Sequence, residues 1–388
     1  MESIIITVCL LLLIAYLFDI SSSKTKIPSV ILLLLLGWMV NNGFDMINLS
    51  KPDFSKYLPI IGTIGLLLIV LDGALELELN KHKWRVVLKS FSIAFFPMLL
   101  LAFVLLQVFD YYTDASDQVK LINALPFCII SSAIAIPSAV NLKPDSREFI
   151  IYESSISDIL GVMFFNFLIQ SDSIQSAEII AFGGQFFLIL ILSFLAVLGL
   201  SFLLSRLKHQ ITYAPIILII ILFYAFSKLY HLPGLLFILI FGLFLGNLDE
   251  LKQYPWIQKL NPDKLNLEIM KFKHITIELT FIVRAIFFIV FGFTIDLNDL
   301  VNLETLPVAC IIVFSIFLIR IISLLIFRIP VMPILFFAPR GLITILLFLS
   351  IGSQVRIDIV NNSLVIQVVL LSVFILMMGN LTTQRKIK

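Results

Sequence analysis

The residue whose type and position most clearly suggest a chemical role is Asp158. It is a carboxylate within a stretch of apolar sequence long enough to cross a membrane. A charged side chain near the middle of a bilayer costs at least about 2.5–3.5 kcal/mol on insertion scales, so such a carboxylate usually belongs to a pathway for ions or protons. Ser154, Ser157 and Gly161 follow helical spacing around it, so these four residues share one face of a helix. We expect this polar stripe to face protein or a water-filled cavity.

A second group of candidate oxygen ligands lies in an earlier apolar segment. Pro137 removes a backbone hydrogen bond from its helix and disfavours helix at the residue before it, and three serines lie nearby. Small hard cations prefer carboxylate, hydroxyl and carbonyl oxygens. If a proton and a cation compete for one carboxylate, and only the loaded site crosses the membrane, exchange follows. The predicted site for a proton or a monovalent metal cation consists of Asp158, Ser157, Ser154, Ser131, Ser132, Pro137 and Ser138.

Three arginines fall within predicted spans. A buried guanidinium keeps its proton and therefore needs a carboxylate partner. We predict a structural ion pair between Arg320 and Glu153, because Glu153 lies about 140° around its helix from Asp158 and should not share its ligand. Arg340 follows a Pro-containing interruption and is expected at the end of a half-helix, where it supports the site. Arg284 is expected to extend toward a membrane interface.

The composition is that of an all-α polytopic membrane protein. Of the 388 residues, 60% are hydrophobic and only 13% are charged, whereas soluble domains carry about 25% charge. The net charge of +2 does not suggest a nucleic-acid partner. Three single cysteines, Cys9, Cys128 and Cys310, have no metal-binding spacing, and the four histidines lie in loops or near span ends. We therefore expect no cofactor and no enzymatic activity.

Apolar runs predict thirteen transmembrane helices and no soluble domain. Several of these runs are short or are interrupted by Pro and Gly. The predicted spans are roughly 3–20, 27–42, 58–77, 86–109, 121–141, 149–169, 179–205, 212–228, 232–247, 275–295, 304–326, 331–351 and 362–380.

The distribution of basic residues predicts the orientation of these spans. Nineteen of the 27 Lys and Arg residues fall in alternate loops and the C-terminal tail, five fall in the other loops, and three lie inside spans. Loops rich in Lys and Arg face the cytoplasm. We therefore predict an extracytoplasmic N-terminus and a cytoplasmic C-terminus in the plasma or inner membrane.

The chain also repeats itself. Three features recur in the same order seven spans apart: an Ile-Pro or Leu-Pro opening, a Gly-containing span end and a Pro-interrupted span. Because seven is an odd number of spans, the two copies must have opposite orientations in the membrane. Interrupted helices at matching positions of inverted repeats indicate a transport site at the midplane. We predict repeat one at about 27–169, a linker helix at about 179–205 and repeat two at about 232–380. The matching segments are 26–30 with 231–235, 73–77 with 292–297, and 135–139 with 337–341.

These segments resemble motifs of the monovalent cation:proton antiporter superfamily, particularly its sodium/proton exchanger (NhaP-like) branch. Residues 153–158 (Glu-Ser-Ser-Ile-Ser-Asp) resemble the family motif Glu-Ser-x-x-Asn-Asp, and 338–341 (Ala-Pro-Arg-Gly) is similar to its Gly-Leu-Arg-Gly. Residues 292–296 resemble its Gly-x-x-Ile-Asp span end, Arg320 its arginine before the second break, and 27–28 its Ile-Pro opening. The resemblance covers nearly the whole chain. It implies an NhaA-like fold with two crossed discontinuous helices, a homodimer and elevator-like alternating access.

Two departures from the family pattern bear on mechanism. Ala135 and Ile136 stand where the family has Thr-Asp, and Ser157 stands where electrogenic relatives carry a second Asp. One titratable carboxylate remains at the site, so the resemblance implies electroneutral exchange of one cation for one proton. We expect sodium to be the cation, with potassium and lithium as alternatives. Two other functions remain open at this stage: a sodium-coupled organic-anion symporter, with Arg340 as the counter-charge, and a transport-dead membrane sensor.

Overall fold

A computed structural model gives the fold of this chain. It describes residues 2–46, 51–52, 54, 57–77, 84–170, 183–184, 187–188, 191–196, 199, 213–229, 234–247 and 262–383. Within these ranges the chain is helical and contains no β-strand. The helices are α1 (Glu2–Thr25), α2 (Ser29–Met46), α3 (Leu58–Glu76), α4 (Trp84–Asp110), α5 (Asp117–Cys128), α6 (Ser132–Ser138), α7 (Pro144–Gln170), α8 (Tyr213–Leu229), α9 (Gly234–Gly246), α10 (Pro262–Phe293), α11 (Leu297–Leu300), α12 (Leu306–Ile326), α13 (Leu342–Ser350) and α14 (Asn362–Thr383), with a 3-10 helix at Ile334–Phe336.

The expectation of a polytopic helical membrane protein is confirmed. Seven segments of the described chain are long and apolar enough to cross a bilayer, and they lie on α1, α2, α4, α5 with α6, α10, α12 and α14. Two shorter apolar helices, Ile216–Ser227 and Gly234–Gly246, lie where the eighth and ninth spans were predicted. The predicted seventh span, 179–205, lies mostly outside the described residues, so the total of thirteen remains a prediction.

One helix extends well beyond its predicted apolar span. The tenth span was expected to start at about residue 275, but α10 begins at Pro262. Proline is well suited to the first turn of a helix because its missing amide hydrogen would have no partner there. The polar residues that follow continue the helix, and Glu268 lies 3.0 Å from Lys271 one turn later. Hydropathy locates the apolar part of such a helix and misses its polar extension.

The chain forms two compact units. The first comprises Met1–Leu66, Lys89–Gly161 and Phe281–Lys388, and the second comprises Leu67–Leu88 and Val162–Thr280. In the first unit α12 packs against α14, α13 against α5, and α1 against α2. Its core contains large, fully buried side chains such as Phe109, Phe127, Phe337 and Phe348. In the second unit α8 packs against α9, and Asn247 donates a hydrogen bond of 2.8 Å to the carbonyl of Leu77.

Candidate ion-binding site

Two interrupted helices meet at the centre of the first unit. Residues 129–131 separate α5 from α6, and residues 337–341 separate the 3-10 helix from α13. The amide of Ser131 donates to the carbonyl of Pro339 over 2.9 Å, so the two non-helical segments are joined by a backbone hydrogen bond. Breaks of this kind expose backbone groups that a continuous helix would satisfy, and such groups occur at membrane depth only where protein or water surrounds them.

The first interruption lies upstream of the predicted position. We expected Pro137 to break the span, but α6 runs from Ser132 to Ser138 with Pro137 in its last turn. The break lies instead at Ile129–Ser131, where Ile129 and Ser131 have extended backbones with ψ of 131° and 111°. The amide of Ile130, which the break frees, donates to Ser157 Oγ at 3.0 Å. A proline in a final turn acts on the turn before it, where it removes the donor to the carbonyl four residues earlier.

Asp158 faces this interruption from α7. Its carboxylate is buried, and Oδ2 accepts hydrogen bonds from the hydroxyl of Ser132 and, at 3.2 Å, from the backbone amide of Ser132. The other oxygen, Oδ1, is buried without a hydrogen-bond partner among the described residues. A buried polar atom without a partner is costly, which makes this oxygen a candidate ligand for a proton or a cation.

The predicted serines contribute unequally. Ser157 accepts the amide of Ile130, and Ser154 donates to the carbonyl of Ile150 in its own helix at 2.7 Å. Ser131 Oγ is buried and has no hydrogen-bond partner within the described part of the chain. Ser155 Oγ is in the same state; Ser155 lies three residues before Asp158 but was not among the predicted ligands. Buried hydroxyls without partners are available to a ligand.

Pro137 and Ser138 are placed at the far end of α6, and neither is hydrogen-bonded to Asp158 among the described residues. Pro137 acts on the backbone instead, because its missing amide leaves the carbonyl of Ala133 without its usual helical donor. Arg284 Nη1 lies 3.3 Å from that carbonyl, and Arg284 Nη2 lies 3.6 Å from Asp19 Oδ1. Arg284 therefore contacts the interrupted helix, whereas the sequence suggested an interfacial position.

Glu153 and Arg320 form a two-pronged ion pair in the first unit. Arg320 Nη1 and Nη2 donate to the two carboxylate oxygens at 2.5 and 2.9 Å, and both side chains are buried. The guanidinium also donates to the carbonyls of Ile334, Leu335 and Phe337, at 2.9 to 3.2 Å. A planar guanidinium suits this arrangement because its donors are fixed in direction. The pair ties α7 and α12 to the segment before the second break.

Arg340 lies at the C-terminal end of α5. Its Nε donates to the carbonyl of Phe127 at 2.6 Å, Nη1 donates to Ala338 at 2.9 Å, and Nη2 reaches Cys128 at 3.5 Å. The last carbonyls of a helix lack intrahelical donors and carry partial negative charge. A buried cation at this position therefore stabilises the broken end of α5.

Two glycines pack closely against the first interrupted helix, one from α7 and one from the second break. A Cβ at Gly161, on the Asp158 helix, would collide with Ile129 in the first break. A Cβ at Gly341 would lie 2.9 Å from Ser131 Oγ and would collide with Ile134. A side chain at either position would force these neighbouring side chains to shift.

The candidate site offers oxygen atoms as ligands. Within the described residues there is no group of three or more His, Cys, Asp or Glu that could hold a metal ion. Among the residues discussed above, three buried oxygens have no hydrogen-bond partner in the described part of the chain: Asp158 Oδ1, Ser131 Oγ and Ser155 Oγ. Oxygen ligands of this type are preferred by small hard cations.

The sequence and the fold of this chain are both similar to those of known proteins. Two structures of the sodium proton antiporter MjNhaP1 from Methanocaldococcus jannaschii share the fold. The first, at pH 8, has 21% sequence identity and a TM-score of 0.72, and the alignment covers 99% of each chain. The second, an electron-microscopy map, has 20% identity and a TM-score of 0.71, and the alignment covers 100% of this chain and 96% of the other. A search of the curated proteins gave no match. The sequence model of the sodium/hydrogen exchanger transmembrane family matches residues 9–334, so the chain belongs to the sodium/hydrogen exchanger family.

Proposed function

We propose that this protein exchanges one sodium ion for one proton across the membrane, with both ligands competing for Asp158. The observation that carries the proposal is the state of Asp158, whose Oδ1 is buried and has no hydrogen-bond partner among the described residues. A proton satisfies this oxygen directly, and a cation satisfies it as a ligand. Since one oxygen cannot serve both at once, binding of one ligand displaces the other.

The charges around the site support electroneutral exchange. Glu153 is buried in its pair with Arg320, so its charge is balanced within the protein. Of the two described carboxylates at the site, Glu153 and Asp158, only Asp158 is then left for a transported ligand to neutralise, and its net charge is the same with a proton as with a sodium ion. The serines that support Asp158 in this proposal are Ser131, Ser132, Ser154 and Ser157. Potassium and lithium are the alternative cations.

The crossed helices support an alternating-access mechanism. Inverted repeats built around discontinuous helices allow a fixed central site to open to each side of the membrane in turn. We propose that the protein acts as a homodimer in the plasma or inner membrane, with its N-terminus outside and its C-terminus in the cytoplasm. The excess of basic residues in alternate loops supports this orientation.

The decisive experiment uses purified protein in acid-loaded proteoliposomes that contain a fluorescent pH indicator. Sodium, potassium and lithium are added in turn, and dequenching reports proton efflux. We expect dequenching with sodium, its loss in Asp158→Asn, and its retention in Asp296→Asn, which removes an exposed carboxylate outside the site. The rate should not change when a potassium diffusion potential is imposed with valinomycin.

Each alternative predicts a different result. Full activity of Asp158→Asn would remove Asp158 from the mechanism. A rate that depends on the imposed potential would exclude one-for-one exchange. Sodium uptake that requires an organic anion and moves no protons would favour a symporter, and folded protein without any response would favour a transport-dead sensor.

A further inference from the structure

A small cavity lies beside the candidate site, within the first unit. It is lined on one side by α4 residues, including Ile93, Ala94 and Pro97, and on the other by Ser157, Arg320 and Arg340. The cavity is small, with room for one water molecule or one monatomic ion. Ser157 belongs to the candidate site, whereas the α4 wall plays no part in the exchange mechanism proposed above.

The lining is rich in hydrogen-bond donors. A guanidinium carries five N–H groups, and Arg340 directs three of them to carbonyls. The remaining two have no acceptor among the described residues. The hydroxyl oxygen of Ser157 accepts the amide of Ile130, and its hydrogen has no acceptor in the described part of the chain. The polar part of this cavity therefore offers donors to a ligand that accepts.

The local charge balance also favours an anion. The buried charged side chains around the crossing are Glu153, Asp158, Arg320 and Arg340. Glu153 balances Arg320, and Asp158 is neutralised whenever it holds a proton or a cation. Arg340 has no ion pair with a described carboxylate, and its three carbonyl contacts supply only partial charge. A buried net positive charge within a membrane is costly.

We propose that this cavity binds a small monovalent anion of the size of chloride, held by Arg340 and the hydroxyl of Ser157. The aliphatic wall from α4 suits a weakly hydrated anion better than a strongly hydrated one, because it offers no replacement for lost water contacts. A cation would meet the uncompensated positive charge of Arg340. The anion would neutralise the crossing in both loaded states of Asp158 without being transported.

The test measures thermal unfolding of the full-length protein in detergent. Sodium chloride is compared with sodium gluconate at equal sodium concentration and ionic strength. We expect chloride to raise the unfolding midpoint by about 2–4 °C, as for a ligand present well above its dissociation constant. Ala94→Leu fills the cavity from α4 and should abolish the rise. Leu99→Phe adds bulk on the exposed side of the same helix and should retain it.

The outcomes decide the proposal without reference to transport. Equal midpoints in chloride and gluconate would mean that water alone occupies the cavity, and a rise that persists in Ala94→Leu would place chloride elsewhere; either result overturns the proposal. If Ala94→Leu does not fold, Ala94→Val makes the same comparison with a smaller change. Saturable binding of radioactive chloride to the wild type, weakened in that variant, would support the site even if exchange of sodium for protons were absent.

Discussion

The backbone amide of Ser131 lies 2.9 Å from the backbone carbonyl of Pro339, and this hydrogen bond joins the two interrupted helices where they cross. The donor lies in one non-helical segment and the acceptor lies in the other. Each segment therefore supplies the hydrogen-bond partner for a backbone group of the other. Ser132, the next residue, holds Asp158 through its amide and its hydroxyl. The position of the carboxylate therefore depends on the crossing.

Gly341→Ala should damage the site through this crossing. The added Cβ would lie 2.9 Å from Ser131 Oγ and would collide with Ile134, so these two side chains beside the crossing must shift. Overpacking of this kind costs about 1–3 kcal/mol, and a small displacement of a binding group lowers rates by about tenfold or more. Sodium-dependent proton efflux from proteoliposomes measures the effect. Gly352→Ala is the control, because its Cβ would meet Val355 at 3.9 Å; similar rates in both variants would contradict the argument.

The sequence predicted the helices well and their interactions unevenly. Apolar runs of bilayer length mark spans because lipid offers no partner for polar groups. The break of the first interrupted helix was predicted at Pro137, because proline is a signal that can be read from sequence. The break is instead at Ile129, whose backbone is extended, and the next amide, that of Ile130, donates to Ser157 on another helix. Sequence does not show such a tertiary hydrogen bond. The pairing of Glu153 with Arg320 followed from chemistry, because a buried guanidinium needs a carboxylate. Contacts of Asn123 with residues 355–357 carry no such signal.

Glu153→Gln should destabilise the protein strongly. Arg320 would keep its charge but lose the carboxylate that lies 2.5 Å from Nη1, and breaking a buried pair from one side costs about 3–5 kcal/mol. Thermal unfolding in detergent should show a midpoint several degrees lower. Lys271→Gln removes an exposed partner of Glu268 and should cost at most about 1 kcal/mol. Equal midpoints in the two variants would show that the buried pair contributes little.

Asn123→Ala should loosen the segment that follows α13. The Asn123 side chain donates to the carbonyl of Val355 at 2.7 Å and accepts the amide of Ile357 at 3.2 Å. Its removal leaves two backbone groups without their partner, at a cost of about 1–3 kcal/mol each. Amide hydrogen exchange of peptides covering 352–361 should become faster, while peptides from α8 stay unchanged. Unchanged exchange at 352–361 would mean that other contacts hold the segment.

Ser157→Asp should convert the exchange from electroneutral to electrogenic. Ser157 is buried beside Asp158, and its oxygen accepts the amide of Ile130 at 3.0 Å, a role that a carboxylate oxygen can also fill. With two carboxylates at the site, one cation no longer balances the protons that are displaced.

The measurement is sodium-dependent proton efflux at several imposed membrane potentials. The rate should depend on potential in Ser157→Asp. It should not depend on potential in the wild type or in Ser157→Asn, which is of similar size but uncharged. A potential-independent rate in Ser157→Asp would mean that the second carboxylate stays protonated throughout the cycle, and a potential-dependent rate in Ser157→Asn would show that charge at this position does not set the stoichiometry.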